Sequence, residues 1–403
     1  MPDQDPLTAP SIDSDIVSRP TAVKPERLLS LDVLRGLTIA FMILVNNQPS
    51  HDAFFELRHA AWNGFTATDL VFPTFLFLVG ISTVLSTAAR LARGATRSEL
   101  FLHTLRRAVL LIVLGFVVNN FPLFHMAHAR YYGVLPRIGL CYFVVATLYL
   151  ISPGWKDKLA IAIACLLGYW ILMRFVPIPG IGVPTHAIPI NDPDANLGAW
   201  LDRCIFSASH LYEHTRDPEG LLSTIPSIAT ALIGLLTGLW LRTKNSTARK
   251  TAALAITAVI FLALALAWNP YFPINKKLWT SSYVLCAAGC SMLLLAASIY
   301  VIDVLRLGRR SATGPTTQPP LYRPLLVFGT NAITAYMFAE LLSDSLSAIH
   351  PQPGVNLEHT IYNHINHVIT QPAWAALVYG LIIVLITWLA MLPLYRKRIF
   401  LRI

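Results

Sequence analysis

The densest group of reactive side chains in this 403-residue sequence lies between its first two apolar runs, where His51, Asp52, Glu56, Arg58, His59, Trp62, Asn63, Thr66 and Asp69 crowd one short loop. A turn between two apolar segments needs few polar groups, so this loop is built for more than connection. Histidine is the side chain that accepts and returns a proton near neutral pH. His59, at the start of the second run, is the first candidate for a general base, although a histidine beside Trp62 equally suits anchoring at a membrane surface. Asp69 is a carboxylate at the mouth of an apolar helix, costly there unless paired. It caps that helix, orients His59 or attracts a cationic amine.

A second set of candidates is basic. Five arginines, Arg90, Arg93, Arg97, Arg106 and Arg107, follow the second run, and Arg35 lies inside the first. Such a cluster is either a topology signal or a site for phosphate, which guanidinium groups grip in a bidentate fork. Arg35 has a structural partner within reach at Asp32, with a phosphate as the alternative. Arg137, near the end of the fourth run, is expected to brace the site through Asp69, Glu219 or a carbonyl. Asp217 and Glu219 in a DPEG turn, and Asn275, Lys276 and Trp279 in an NKKLW block, combine charge with aromatic rings. Such groups suit an amino sugar, acids pairing with ammonium and hydroxyls while rings stack on its face; as plain structure they are turn and interface anchors. Glu340, midway along the ninth run, is either the partner of a buried arginine or part of a passage. The cysteines Cys141, Cys165, Cys204, Cys286 and Cys290 show no metal or redox spacing, so they are expected to pack, with no metal and no disulfide.

The elements that must hold these groups are helices in a membrane. With 55% hydrophobic and 13% charged residues the chain is far greasier than a soluble domain, about 25% charged. Its mean hydropathy is +0.57. Apolar runs near 31–47, 67–90, 99–120, 134–152, 158–176, 221–241, 251–268, 279–301, 324–347 and 373–394 approach the roughly 20 residues that a spanning helix needs. They are continuous rather than alternating, which excludes a barrel. The expected fold is an all-α polytopic membrane protein, a bundle of about ten transmembrane helices. Lys and Arg concentrate in the N-terminal tail, the even-numbered loops and the C-terminus, whereas the opposite loops hold Arg58, Arg130, Arg203, Arg216, Lys276 and Lys277. That bias places both termini in the cytoplasm and the His59 loop outside. The net charge of +10 is thereby a topology signal and no nucleic-acid partner is expected.

Residues 1–26 are polar and Pro-rich, a disordered cytoplasmic tail rather than a signal peptide, and 27–403 form one transmembrane domain. Within it, 177–220 read as an irregular extracytoplasmic lid with a short amphipathic helix over Leu197–Phe206, and 308–320 as a cytoplasmic linker. Pro73 is expected to kink the second span below the His59 loop. Gly234 and Gly238, at small-xxx-small spacing, allow close helix approach, inside the bundle or across a homodimer.

The blocks SLDVLRGLTI, VN and HAAWNGFTATDLVFPTFLFLVGIS resemble the opening of the transmembrane acyltransferases typified by heparan-α-glucosaminide N-acetyltransferase. GVLPRIGLCY from Gly133, DPEGLLSTIPSIAT from Asp217, FPINKKLWTSSYVL from Phe272, NAITAY from Asn331 and LYRKRIF from Leu394 follow in the family's order. The resemblance implies acetyl transfer from cytoplasmic acetyl-CoA to the amine of an extracytoplasmic amino sugar of the glucosamine type. His59 falls on the catalytic histidine, acting as base or acetyl carrier, with Asp69 beside it. Asn46 or Asn47 falls on the paired asparagine that holds the thioester carbonyl or the imidazole. The nucleotide would lie against Arg35, Arg90, Arg93, Arg106 and Arg107, its pantetheine arm threading toward His59. The sugar would meet Trp62, Asn63, Arg137, Asp217, Glu219, Asn275, Lys276 and Trp279. The chain looks like a compact bacterial member in the inner (cytoplasmic) membrane. An amino-sugar permease without acyl transfer is the alternative, since a helical bundle with polar groups at mid-membrane and a broken helix suits it too.

Overall fold

A computed structural model describes residues 28–49, 53–185, 189–307, 320–351 and 353–400. The expected tail, His51, Asp52 and all of the expected linker but Pro320 lie outside the described residues. The helices are α1 (Leu29–Asn46), α2 (Val71–Leu91), α3 (Arg97–Asn120), α4 (Val134–Ile151), α5 (Lys156–Phe175), α6 (Leu197–Ile205), α7 (Thr224–Leu241), α8 (Thr247–Trp268), α9 (Ser281–Ile299), α10 (Arg323–Thr330), α11 (Ala332–Ala348), α12 (Leu357–Val368) and α13 (Pro372–Arg396). Among the described residues, nine helices are long and apolar enough to cross a membrane, and the bent α10–α11 pair is a further candidate. The same residues form isolated bridges but no strand. The all-α bundle is therefore as the apolar runs foretell.

Three local features differ from expectation. Pro73, expected to kink the second span, is the third residue of α2, in the first turn, where a missing N–H forfeits no helical bond, and the residues just before α2, Thr68–Leu70, form a 3-10 turn. The ninth run is two helices, bent by 73° at Asn331, which leaves helical geometry at φ −128° and ψ 45°. The Asn331 amide donates to the Ile399 carbonyl at 3.2 Å. Just before the break α10 lies backbone to backbone against α1; a Cβ on Gly36 would sit 1.8 Å from the Leu325 carbonyl oxygen, and one on Gly329 2.2 Å from that of Asp32. Lastly, α12 has no long apolar run to announce it, being a short amphipathic helix capped by Asn356, whose side chain accepts from the His359 amide at 2.8 Å.

The small residues of α7 are used inside the bundle. A Cβ on Gly234 would lie 2.0 Å from the Phe77 carbonyl oxygen of α2, and one on Gly80 2.1 Å from that of Ala231. The α2 and α7 backbones thus touch where side chains would separate them. Around α1, α2, α7 and α9, which are mostly buried, lie α3, α5 and α8, whose outward faces expose Val109, Val113, Ile163, Ile256, Val259 and Leu266, as lipid contact requires.

The long segment between α5 and α7 folds over the His59 end. There the Arg130 guanidinium, in the α3–α4 loop, donates from Nε and Nη2 to the two oxygens of Asp217 at 2.8 Å each, and from Nη2 to Glu219 at 2.6 Å. Burial opposes its charge, but Asp217 and Glu219 outweigh burial and hold its pKa above the ordinary arginine value. Asp202 of α6 accepts from the Leu221 amide at 3.0 Å and the Tyr132 hydroxyl at 3.2 Å, tying α6 to the same turn. Burial first, and the neighbouring Asp217 charge, raise the Asp202 carboxyl to about 6 despite those donors.

Two measurements follow from this packing. Replacing Gly234 by Val should lower the melting temperature in detergent, as overpacking costs of about 1–3 kcal/mol or more imply; an unchanged melting temperature would refute the backbone contact. The folded lid holds the Asp202 proton more tightly than an unfolded chain does, so the contribution of Asp202 to lid stability is greatest at low pH and is lost as pH rises through about 6. Asp202→Asn keeps the acceptor and removes the charge. Amide exchange across α6 should then be slower than wild type at about pH 8 and equal to it at about pH 4.

Candidate active site

At the lid end, a cavity of about 740 Å³ opens between the ends of α1, α2, α3, α4 and α11 and the loops above them. Its centre is His59. The imidazole Nδ1 lies 2.7 Å from Asp69 Oδ1, and the other carboxylate oxygen accepts from the backbone N–H of Ala60 at 3.0 Å and of Thr66 at 3.1 Å and from the Thr66 hydroxyl at 3.2 Å. Asp69 itself sits in a tight turn, Thr68–Leu70, that runs straight into α2, so the positive end of that helix also faces the carboxylate. Ionised Asp69 only accepts, which puts the proton on Nδ1 and leaves Nε2 with its lone pair. Asp69 is 1% exposed while the His59 side chain is 48% exposed, which is the arrangement of a fixed carboxylate orienting a reachable ring.

Lys276 completes the group. Its Nζ lies 3.0 Å from Nδ1 and 3.4 Å from Nε2 of His59, and 3.6 Å from Asp69 Oδ1. With Nδ1–H given to Asp69, this ammonium acts as counter-charge to the carboxylate and as a positive group beside the base. Burial holds its pKa below the usual lysine range, against the pull of Asp69 and Glu219.

Trp62, Arg130, Tyr212, Glu213, Glu219, Lys277, Tyr336 and Glu340 also line the cavity. Asn46 lines it as well, donating to Glu340 Oε1 at 2.9 Å, whereas Asn47 is buried and turns its amide back to the Ile43 carbonyl. Asn46 is thus the asparagine that faces the cavity, and its partner there is Glu340 rather than His59. Among the described residues no arginine pairs with Glu340, which lies on the cavity wall. The Trp62 ring is covered, with the Arg216 guanidinium 5.0 Å and the Lys277 ammonium 5.9 Å from its centroid. Its indole N–H donates to the Asn191 carbonyl at 2.7 Å, so the ring is already engaged by the protein.

Five expected sugar contacts stand behind the wall. Asn63 accepts from Asn275 at 3.3 Å and from Asn191, and with the Gly64 amide donating to the Ile274 carbonyl at 2.8 Å it sews the His59 loop to the α8–α9 loop. Trp279 is buried, donating to Thr230 at 3.1 Å and packing edge-on to Phe72. Arg137 is buried over Trp279 and donates to the Gly220 carbonyl at 2.9 Å and the Ser223 hydroxyl at 2.5 Å; of the three braces open to it, the carbonyl is the one made. Asp217 is buried under Arg130. These residues shape the site from behind, none of them lining the cavity. Arg130 carries no expectation from sequence, yet a lone arginine in an outer loop facing the DPEG acids was the available signal.

A second cavity, of about 330 Å³, opens at the other end of the same helices. Arg35, Arg90, Arg93 and Arg107 line it, with Ser82, Ser86, His103, Thr330 and Asn331 and the first residues of α11. Arg106 is exposed on α3 and does not line it. Arg35 donates to Asp32 at 3.0 Å and to Ser82 at 2.7 Å. A helix start with guanidinium groups around it is a site for phosphate. The two cavities share no lining residue, but they approach within one turn on three helices, from Phe72 to Phe75, Val134 to Ile138 and Ile333 to Tyr336, or roughly 5 Å of helix rise.

Residues 27–267 match the family described as heparan-alpha-glucosaminide N-acetyltransferase, catalytic. The chain is 32% identical over 374 residues to the heparan-alpha-glucosaminide N-acetyltransferase of Homo sapiens, covering 79% of this chain and 54% of that protein. It is 30% identical over 393 residues to the protein of that name from Mus musculus, covering 84% and 57%. The chain therefore spans a little over half the length of the curated relatives it matches. The matched segment carries the entire His59 loop, Asp69, Arg130 and the arginines of the second cavity, and by that match the chain belongs to the heparan-alpha-glucosaminide N-acetyltransferase catalytic family.

Proposed function

We propose that this protein moves an acetyl group from acetyl-CoA, held at the arginine-lined cavity on the cytoplasmic side, to the amine of a glucosamine-type sugar in the His59 cavity on the opposite side. One observation carries the reading: a cavity lined by arginines and a cavity lined by His59 and Asp69 open on the same helices, one turn apart. The donor set fits the coenzyme. Arg90, Arg93 and Arg107 would supply charge for its phosphates, Ser82, Ser86 and Thr330 would supply hydroxyls, and the start of α11 lies at the same cavity. The bias of Lys and Arg toward the loops at that end supports its cytoplasmic placement.

His59 Nε2 takes a proton from the sugar ammonium, and the freed lone pair forms the N–C bond as the C–S bond breaks. The nitrogen loses two protons in all. One leaves through His59 to solvent, and the second restores the thiol of the departing coenzyme. Lys276, beside the ring, is placed to oppose negative charge on the thioester oxygen during attack. The same Nε2 can instead carry the acetyl group as an acyl-imidazole, which would let the two substrates bind in turn. The broken α10–α11 helix is also a feature of transporters, so sugar passage without transfer is the competing reading.

Purified protein with acetyl-CoA and glucosamine should release free thiol. Glucosamine uptake by liposomes lacking the coenzyme, with no thiol released in detergent, would favour the permease. His59→Ala should cut transfer by about 100-fold or more while acetyl-CoA still binds, in line with the usual worth of a general base. Arg90→Ala or Arg93→Ala should raise the KM for acetyl-CoA about 10-fold, as loss of a charge-assisted bond to phosphate implies, and leave the KM for the sugar alone. Arg106→Ala should change neither constant.

A further inference from the structure

The His59 cavity has four carboxylates on its wall: Asp69, Glu213, Glu219 and Glu340. The protein neutralises three of them itself. Asp69 faces His59 and Lys276, Glu213 pairs with Arg216 and with Lys277 at 3.0 Å, and Glu219 pairs with Arg130 at 2.6 Å. Glu340 is the exception. Its only bonded neighbour among the described residues is the Asn46 amide, which fixes Oε1 at 2.9 Å and leaves Oε2 without a protein partner. It sits midway along α11, inside a spanning segment, where a carboxylate without a cation is expensive and marks function by default. The nearest acid on its own helix, Asp344, is one turn further out and supplies no compensation.

We infer that Glu340 anchors the ammonium of the acceptor, and so makes the site select an amine over a neutral hydroxyl of the same sugar. The inference rests on the reading of an amino-sugar acceptor and adds the group that recognises it. An incoming primary ammonium brings the one cation the cavity lacks. One of its N–H groups goes to Glu340 Oε2, which leaves another for His59 Nε2 across the same cavity. When His59 has taken that proton, the neutral amine keeps its bond to Glu340 and its lone pair is free for the thioester. Asn46 then acts as a positioning residue, holding the carboxylate from behind. A glucose hydroxyl at the same point would leave the carboxylate without its counter-charge, and a site built for one polar group rejects the analogue lacking it.

The full-length protein in detergent provides two readouts. In direct binding, wild type should hold glucosamine at least 10-fold more tightly than glucose, and Glu340→Gln should abolish that preference. In steady-state transfer, Glu340→Gln should raise the KM for glucosamine at least 10-fold with the KM for acetyl-CoA unchanged, while Asp344→Asn, which lies off the cavity wall, should move neither by more than twofold. If the glutamine variant does not accumulate, Glu340→Asp withdraws the charge by one methylene and should weaken glucosamine binding at least threefold. An unchanged preference for glucosamine over glucose in Glu340→Gln, or an equal loss in Asp344→Asn, overturns the inference. Absence of any thiol release by wild type would overturn the transfer reading instead, and the binding comparison would still decide the role of Glu340.

Discussion

Everything at the lid end depends on keeping one ionised carboxylate, Asp69, out of water at the tip of a membrane helix. Burying such a charge is costly unless every acceptor site is used. Two backbone amides, a hydroxyl, an imidazole and an ammonium meet that demand, and in doing so they fix the loop. Ala60 and Thr66 fold the chain back on itself, His59 is locked in one tautomer, and Lys276 draws in the α8–α9 loop. The Tyr283 hydroxyl of α9 adds a bond to the Asp69 carbonyl at 2.6 Å, so α2 and α9 are held in register below the same point. A half-exposed imidazole is thereby mounted on a rigid support.

The broken ninth span is the second organising feature, because it serves both cavities at once. A straight helix would present the side of a cylinder to each. The bend at Asn331 instead brings the start of α11 into the arginine-lined cavity, and the helix then carries Tyr336 and Glu340 up the wall of the other. The break is stabilised by close packing rather than by a proline: Gly36 and Gly329 let α10 press against α1, and Asn331 ties the bend to the C-terminal segment at Ile399. Irregular backbone at membrane depth is tolerated where it is buried in protein or lines a cavity, and here it does both.

The fold class was legible because twenty-odd apolar residues in a row have one solution in lipid, and the positions of nearly all the spans follow from that alone. The pairing of His59 with Asp69 was legible as one of several roles for a carboxylate at a helix mouth. The break at Asn331 was not, since apolar composition runs through it and only the approach of α1 decides the geometry. Nor were the inward-looking fates of Trp279, Asn275, Asn63 and Arg137. Charge and aromatic character mark a residue as costly to bury, but they do not say whether another loop or a ligand meets the cost. Arg130 went unremarked for the converse reason, its partners Asp217 and Glu219 lying more than eighty residues away. Asn46 and Asn47 differ by one position, and helical phase alone turns the first into the cavity and the second into the bundle.

The layer between the cavities bears on how two substrates from opposite sides can share one reaction. Phe72, Phe75, Ile138 and Tyr336 stand where the linings come within a turn of each other, and most of that surface is apolar or aromatic. Under the proposed transfer, a nucleotide with its phosphates could not enter such a layer without abandoning the arginines proposed to hold it, whereas a thin, uncharged pantetheine arm could. The proposed sugar would be held back in the other direction by its hydroxyls and its charge, for which Glu340 and the loop acids would offer the better site. Under the proposed transfer, the same apolar layer that keeps the membrane sealed would thus sort the reactants: only the acyl end of one molecule and only the amine of the other can meet at His59.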